Sequence, residues 1–111
     1  MGKIGEDYAV VFLMKHSFKI LGRNLNSRNG EIDIVAKKKK VHYFFEVKAG
    51  RQGSWFNPAD NLAKEKLRRF HNAVQYYCLR HRCREYKIQG ILVLLDTEEK
   101  IAPRIEIIDL S

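Results

Sequence analysis

Two alternating runs of apolar and polar residues, separated by lysines, constrain the fold of this chain more than any other feature. The first run, GEIDIVAK, spans residues 30–37, and the second, VHYFFEVK, spans residues 41–48. Both alternate with the period of two that is typical of a β-strand. The lysine run at 37–40 suits a solvent-exposed turn between them. The sequence therefore predicts an antiparallel hairpin with strands at 31–36 and 41–48.

Helical and strand-like patterns flank this hairpin on both sides. We predict a helix at 4–16, a strand at 18–25, a turn at 26–30, a loop at 49–60, a helix from about 62 to 82, and strands at 87–95 and 104–109. The second helix carries an apolar stripe at spacings of three and four, formed by Leu67, Phe70, Val74 and Tyr77. The apolar run at 87–95 suits a strand that is covered on both faces.

The order of these elements predicts the fold class. The sequence reads α-β-β-β-α-β plus one extra C-terminal strand, which implies an α/β fold with a mixed central sheet flanked by two helices. We expect the strand at 87–95 to enter the sheet beside the strand at 41–48, after a helical crossover. With 111 residues, the chain is predicted to form a single domain spanning 1–111.

Charge and hydropathy limit the partners of the chain. No apolar run approaches the roughly 18 residues of a membrane span. No secretion signal is recognisable at the start of the sequence, so we expect a cytoplasmic location and no membrane span. The net charge of +8 favours a polyanion as partner, with nucleic acid first and an anionic membrane surface second.

Acidic residues inside the two hairpin strands are the candidate functional groups. Strand alternation puts Asp33 on one face of the first strand, and Glu46 and Lys48 on one face of the second. A turn of two or four residues sets Asp33 opposite Glu46, with Cβ atoms about 4.5 to 5.5 Å apart. Two carboxylates this close repel each other unless a cation neutralises them, and oxygen ligands of this kind suit Mg²⁺.

A second acid pattern bears on the choice between a metal site and an ordinary ion network. In the alternative interpretation, Asp33, Glu46 and Lys48 form an ordinary ion-pair network on the solvent-exposed face of the sheet, without a metal. Glu6, however, precedes Ala9 by three residues and therefore shares its inward helix face. An acid near a helix start is also favoured by the helix dipole. Three acids converging on one sheet edge favour the metal site.

Four segments of the sequence resemble a known family. They are GEDYAVVFL at 5–13, GEIDIVAK at 30–37, FFEVKAGRQGSWFNPADNLAKEKLRRF at 44–70, and a closing apolar strand. Together they resemble, almost end to end, the YraN-like family of small bacterial proteins. That family looks like a branch of the PD-(D/E)XK nucleases, which share a restriction-endonuclease-like core of the same element order. The chain departs from the family pattern at Ala63, where Ser or Thr is frequent, and at Gly90, where Asp is frequent.

The resemblance implies a nuclease that depends on Mg²⁺ or Mn²⁺. Asp33 and Glu46 would bind the metal together with the carbonyl oxygen of Val47. Lys48 would orient the attacking water or stabilise charge on the transition state, and Glu6 would act as an auxiliary acid through a water molecule. The substrate would be DNA or another structured nucleic acid, and a homodimer is expected where two strands are cut.

A basic surround is required because acids alone repel a nucleic-acid backbone. The predicted nucleic-acid contacts are Arg51, Gln52, Trp55, Lys64, Lys66, Arg68 and Arg69. Two alternatives stay open at this point. One is a catalytically silent nuclease-like module that binds nucleic acid, and the other is a scaffold that binds a protein partner through aromatic side chains.

Overall fold

The computed structural model describes residues 2–51, 64–96, 98 and 101–110. The elements are α1 (Gly2–Lys15), β1 (Lys19–Ser27), β2 (Gly30–Lys38), β3 (Val41–Arg51), α2 (Lys64–His81), β4 (Tyr86–Leu95) and β5 (Arg104–Asp109). All of the predicted helices and strands are present in the predicted order. The main difference is at residues 49–51, which were predicted as loop but belong to β3, because β4 pairs with β3 as far as Arg51.

The five strands form one mixed sheet in the order β1-β2-β3-β4-β5. The first three strands are an antiparallel meander, β4 runs parallel to β3, and β5 is antiparallel to β4. Helix α2 makes the crossover between the two parallel strands, as predicted. The chain therefore has an α/β fold with two helices on a mixed sheet, an architecture consistent with a restriction-endonuclease-like core.

A two-residue turn fixes the register between β2 and β3. Lys39 and Lys40 have φ angles of 49° and 69°, and the tight hairpin turn that matches strand twist requires positive φ at both central residues. The lysine side chains are exposed there, as expected for a solvated turn. This turn sets Ile34 opposite Phe45, so that Asp33 and Glu46 come next in line.

Apolar clusters cover both faces of the sheet. The cluster beneath α1 contains Ala9, Leu13, Ile34, Ala36, Phe45, Ile91 and Val93. The cluster beneath α2 contains Ile32, Val35, Phe44, Phe70, Ala73, Val74 and Ile88. The predicted stripe of α2 faces the sheet, and β4 is buried on both faces as its apolar run indicated. Neither helix of the described part is long and apolar enough to cross a membrane.

Two glycines allow both helices to approach the sheet near the predicted acids. A Cβ atom on Gly5 of α1 would lie 2.5 Å from the Cβ of Ala49 on β3. A Cβ atom on Gly30 would lie 2.0 Å from the carbonyl oxygen of Arg69 on α2, and Gly30 has a φ of 144°. Side chains at either position would push a helix away, so these contacts hold α1 and α2 close to the same part of the sheet.

Candidate functional site

The backbone pairing between β2 and β3 stops one residue pair before the two acids. The last pair is Ile34 with Phe45, although both strands continue beyond it. From there, β2 stays paired with β1 while β3 stays paired with β4. A gap therefore opens between residues 30–33 of β2 and residues 46–51 of β3. Asp33 and Glu46 lie where this gap begins.

The side chain of Asp33 bridges the gap. Its Oδ2 accepts a hydrogen bond of 2.8 Å from the backbone N–H of Val47, where a continued ladder would have used a backbone carbonyl. Because the N–H and C=O of one strand residue point toward the same neighbouring strand, the carbonyl oxygen of Val47 is also directed into the gap. Asp33 and Val47 thus present oxygen atoms to one space.

The side-chain alternation of β2 is interrupted at the same point. Strict alternation would put Ile32 on the same face as Ile34 and Ala36, but Ile32 instead packs with Val35 beneath α2. The interruption coincides with an irregularity on β1, where Asn24, opposite Asp33, has a positive φ of 51° and is left out of the β1–β2 register. Such local irregularity re-aims the neighbouring side chains.

Glu46 is a buried carboxylate on the α2 side of the sheet. Its side chain is only 2% exposed, and Lys66 Nζ lies 2.7 Å from its Oε1. Among the described residues, the ammonium of Lys66 is the cationic partner of this buried oxygen. Burial raises the pKa of Glu46 to about 7, and the charge of Asp33 adds to the increase while Lys66 opposes it. Glu46 is therefore poised to take up a cation or a proton.

Asp33 shares this electrostatic environment. Burial raises the pKa of its carboxyl above the ordinary value, although the Val47 N–H and the charge of Lys66 work in the opposite direction. Glu31, on the same strand, adds a further negative charge. Two neighbouring carboxylates with raised pKa values are the arrangement expected when an anionic site lacks its full neutralising charge.

Glu6 approaches Asp33 from the opposite side of the sheet. Its side chain is 13% exposed, and Arg23 lies 3.8 Å from its Oε1. Burial raises the pKa of Glu6, and the next largest cause is the charge of Asp33. The charges that shift Glu46 are those of Lys66, Asp33 and Glu31. Asp33 therefore stands between the other two acids, with Glu6 on the α1 side and Glu46 on the α2 side.

The donor set fits a magnesium-type ion held by few protein ligands. Within the described ranges, no three His, Cys, Asp or Glu side chains are grouped so as to hold a metal ion. Mg²⁺ usually needs only one or two carboxylates, since waters and substrate phosphates complete its shell. Asp33, the buried carboxylate of Glu46 and the Val47 carbonyl meet that requirement. Glu6 does not complete a three-carboxylate cage.

Lys48 follows Glu46 on the same side of β3. It is half-buried, lies beside Leu92 of β4 in the register, and within the described part of the chain it is in no ion pair. Gly90, which pairs with Glu46, has no room for an acid, since a Cβ atom there would lie 2.9 Å from Ile108 Cγ1.

A cleft of about 360 Å³ opens beside Glu46 at the start of α2. Its walls are formed by Glu31, Glu46, Glu65, Lys66, Arg69 and Phe70. Lys64 and Arg69 are exposed there, whereas Arg68 is paired with Glu65. The predicted basic surround is thus partly neutralised by acids of the same region.

Other predicted contacts lie elsewhere in the chain. Arg51 ends β3 and lines a different cleft of about 270 Å³, together with Ile4 and Tyr8 of α1. Gln52, Trp55 and the family departure at Ala63 lie outside the described residues.

The sequence analysis missed the role of Lys66 as the partner of Glu46. It was predicted as a phosphate contact, from charge alone. Lys66 lies four residues before Phe70, and residues at that spacing share one face of a helix. This spacing, which places Lys66 at the edge of the sheet-facing stripe, was the available signal.

Comparison with known proteins gives one consistent family. The family model described as "Uncharacterised protein family UPF0102" matches residues 5–109. A UPF0102 protein of Helicobacter hepaticus is 36% identical over 97 residues, which is 87% of this chain and 86% of that protein. A UPF0102 protein of Nitratiruptor is 33% identical over 102 residues, covering 91% and 88% of the two chains. One from Clostridium perfringens is 43% identical over 77 residues, or 69% of this chain and 63% of that protein.

Proposed function

The chain belongs to the uncharacterised protein family UPF0102, and we propose that it is a metal-dependent nuclease of the PD-(D/E)XK type. Its substrate would be DNA or another structured nucleic acid, cut at phosphodiester bonds. The observation that carries this proposal is the pair Asp33 and Glu46 at the opening between β2 and β3. Both carboxyls have raised pKa values, and the Lys48 amine stands further along the same side of β3.

The cation proposed for this site is Mg²⁺ or Mn²⁺. Asp33, Glu46 and the carbonyl of Val47 would hold it, and when bound it would supply Lewis acidity and lower the pKa of a bound water. The burial of Glu46 supports this assignment, because a buried carboxylate pair is costly unless a cation neutralises it.

The chain's own residues position the reacting groups. The Val47 N–H fixes the Asp33 carboxylate, so that its second oxygen keeps a constant direction. Lys48 would place its ammonium against the attacking water or the charge that develops on phosphorus, an effect of the electrostatic type. Glu6, beside Asp33 on the α1 side, would hold a water molecule rather than the cation itself.

Exposed cations would bring the substrate backbone to the gap. The net charge of +8 attracts a polyanion. Arg69 lines the cleft beside Glu46, and Lys64 is exposed at the start of α2. Such phosphate contacts position a nucleic acid without reading its sequence. A second copy of the chain would be needed if both strands of a duplex are cut in one binding event.

A cleavage assay with matched variants tests this function. Purified protein is incubated with single-stranded, duplex and branched DNA in Mg²⁺ or Mn²⁺, and products are resolved on denaturing gels. We expect Asp33→Asn and Lys48→Met each to lower the cleavage rate by about 100-fold or more. Glu85→Gln, an exposed acid at the start of β4, serves as the control and should cleave normally. Equal cleavage by wild type and Asp33→Asn would contradict the proposal, as would metal-independent DNA binding without any cleavage.

A further inference from the structure

The contact between Lys66 and Glu46 joins α2 to the gap. Lys66 Nζ lies 2.7 Å from Glu46 Oε1, yet the side chain of Lys66 is 51% exposed while that of Glu46 is 2% exposed. One partner is therefore fixed in the sheet and the other reaches it from the solvent boundary. The lysine stem is long and flexible, so that its ammonium can move without displacing α2.

The contact between Lys66 and Glu46 belongs to a wider cluster of charges. Lys66 Nζ lies 2.7 Å from the buried Oε1 of Glu46. Lys66 also faces the charges of Asp33 and Glu31. Its ammonium thus neutralises the whole acidic group rather than Glu46 alone.

We propose that Lys66 is an exchangeable counter-ion, which neutralises Glu46 while no divalent cation is bound and transfers to a backbone phosphate of the nucleic acid once the cation is bound. This inference rests on the proposed function, because it assigns a role to a residue that borders the same site. It differs from an ordinary phosphate contact in one respect, since Lys66 becomes available to the substrate only after the cation has displaced it.

Simple electrostatics favours the exchange. A divalent cation held by Glu46 would compete for Oε1 with the ammonium of Lys66, whose Nζ lies 2.7 Å from that oxygen. Two cations that share one carboxylate oxygen would repel each other. Lys66 is the more mobile of the two and lies beside the cleft at the start of α2, where a phosphate would accept its charge. Cation binding therefore leaves a basic group facing the substrate path.

The first test measures Mn²⁺ binding alone, without nucleic acid. Isothermal titration calorimetry compares wild type with Lys66→Gln. The glutamine amide can still contact Glu46, so the variant is expected to fold. We expect Lys66→Gln to bind Mn²⁺ about tenfold more tightly, because the competing cation is gone. Lys19→Met, which removes an exposed lysine on the edge strand β1, controls for the change in net charge and should alter the affinity by less than about twofold. Circular dichroism confirms that each variant is folded.

The second test measures DNA binding by fluorescence anisotropy as a function of salt, with Ca²⁺ as a probe cation or with EDTA. We expect Lys66→Gln to reduce the salt dependence by about one phosphate contact with Ca²⁺, and to leave it unchanged in EDTA. Equal Mn²⁺ affinity in wild type and Lys66→Gln would overturn the exchange and leave the nuclease proposal intact. Absence of Mn²⁺ binding in both proteins would overturn both. A loss of DNA affinity in EDTA equal to that with Ca²⁺ would show a permanent phosphate contact and would also overturn the exchange.

Discussion

The two ends of the β2–β3 hairpin differ in what surrounds their side chains: apolar groups at the closed end and charged groups at the open end. At the closed end, residues 34–38 and 41–45 are joined by a regular backbone ladder and pack into apolar clusters on both faces. At the open end, the ladder is absent from residue pair 33 and 46 onward, and the charges of Asp33, Glu46, Glu31 and Lys66 act on one another instead. The apolar packing at the closed end therefore stabilises the hairpin, and this stability keeps the carboxylates of Asp33 and Glu46 close together at the open end despite their repulsion.

The largest effect should come from the closed end. Phe45 is fully buried beneath α1, so Phe45→Ala removes many contacts and leaves a cavity. We expect a loss of about 3 to 5 kcal/mol in the free energy of unfolding, measured by urea denaturation. Glu46→Gln, the adjacent residue at the open end, is the matched comparison and should cost far less. If Glu46→Gln lowers the free energy of unfolding more than Phe45→Ala does, the open end rather than the closed end stabilises the hairpin.

The next effect is a pH dependence that arises only at the open end. Burial raises the pKa of Glu46 to about 7 in the folded protein, above the ordinary value of a glutamate in the unfolded chain. The folded state therefore holds the proton more tightly, and this contribution stabilises the protein at low pH and is lost as the pH rises toward and through 7. Asp33 adds to it with the same sign, since its pKa is also raised.

Urea denaturation in EDTA at about pH 5 and about pH 8 measures this effect. We expect the free energy of unfolding of the cation-free protein to fall by roughly 2 kcal/mol between these two pH values, because Glu46 loses its proton. The same interval in Glu46→Gln isolates the contribution, because the amide does not titrate. If the difference between wild type and variant has the opposite sign, Glu46 is ionised throughout and Lys66 alone neutralises it.

The sequence predicted the closed end better than the open end. The difference arises because the closed end depends on residues that are near one another in sequence, whereas the open end depends on residues from separate strands and from α2. Period-two alternation and the lysine turn are local properties, and they predicted the closed end, including the register that brings Asp33 next to Glu46. The parting of the strands is not local, because it depends on β4 holding β3 while β1 holds β2. The change of face at Ile32 coincides with the positive φ of Asn24, on another strand. The partner of Glu46 lies on α2, twenty residues away in sequence.

A third prediction separates stability from cation binding within the open end. Asp33→Asn keeps an oxygen that can accept the hydrogen bond of the Val47 N–H, so we expect its stability in EDTA to change by less than about 1 kcal/mol. Its stabilisation by saturating Mn²⁺ should vanish, whereas wild type should gain about 2 to 3 kcal/mol at a concentration near 100 times Kd. Thermal melts with and without Mn²⁺ measure both. Equal Mn²⁺ stabilisation in the two proteins would place the cation away from Asp33.

The smallest effect should come from the turn at the closed end. Lys39 and Lys40 both have positive φ, a conformation that is unfavourable for lysine but ordinary for Asn–Gly in a two-residue hairpin turn. The double substitution Lys39→Asn and Lys40→Gly should therefore stabilise the protein by roughly 0.5 to 1 kcal/mol, measured by urea denaturation. Its Mn²⁺ affinity should equal that of wild type, because the turn is at the far end of the hairpin from Asp33. A changed Mn²⁺ affinity would mean that the conformation of the turn is coupled to the cation site through the backbone ladder. The two ends of the hairpin would then not be independent.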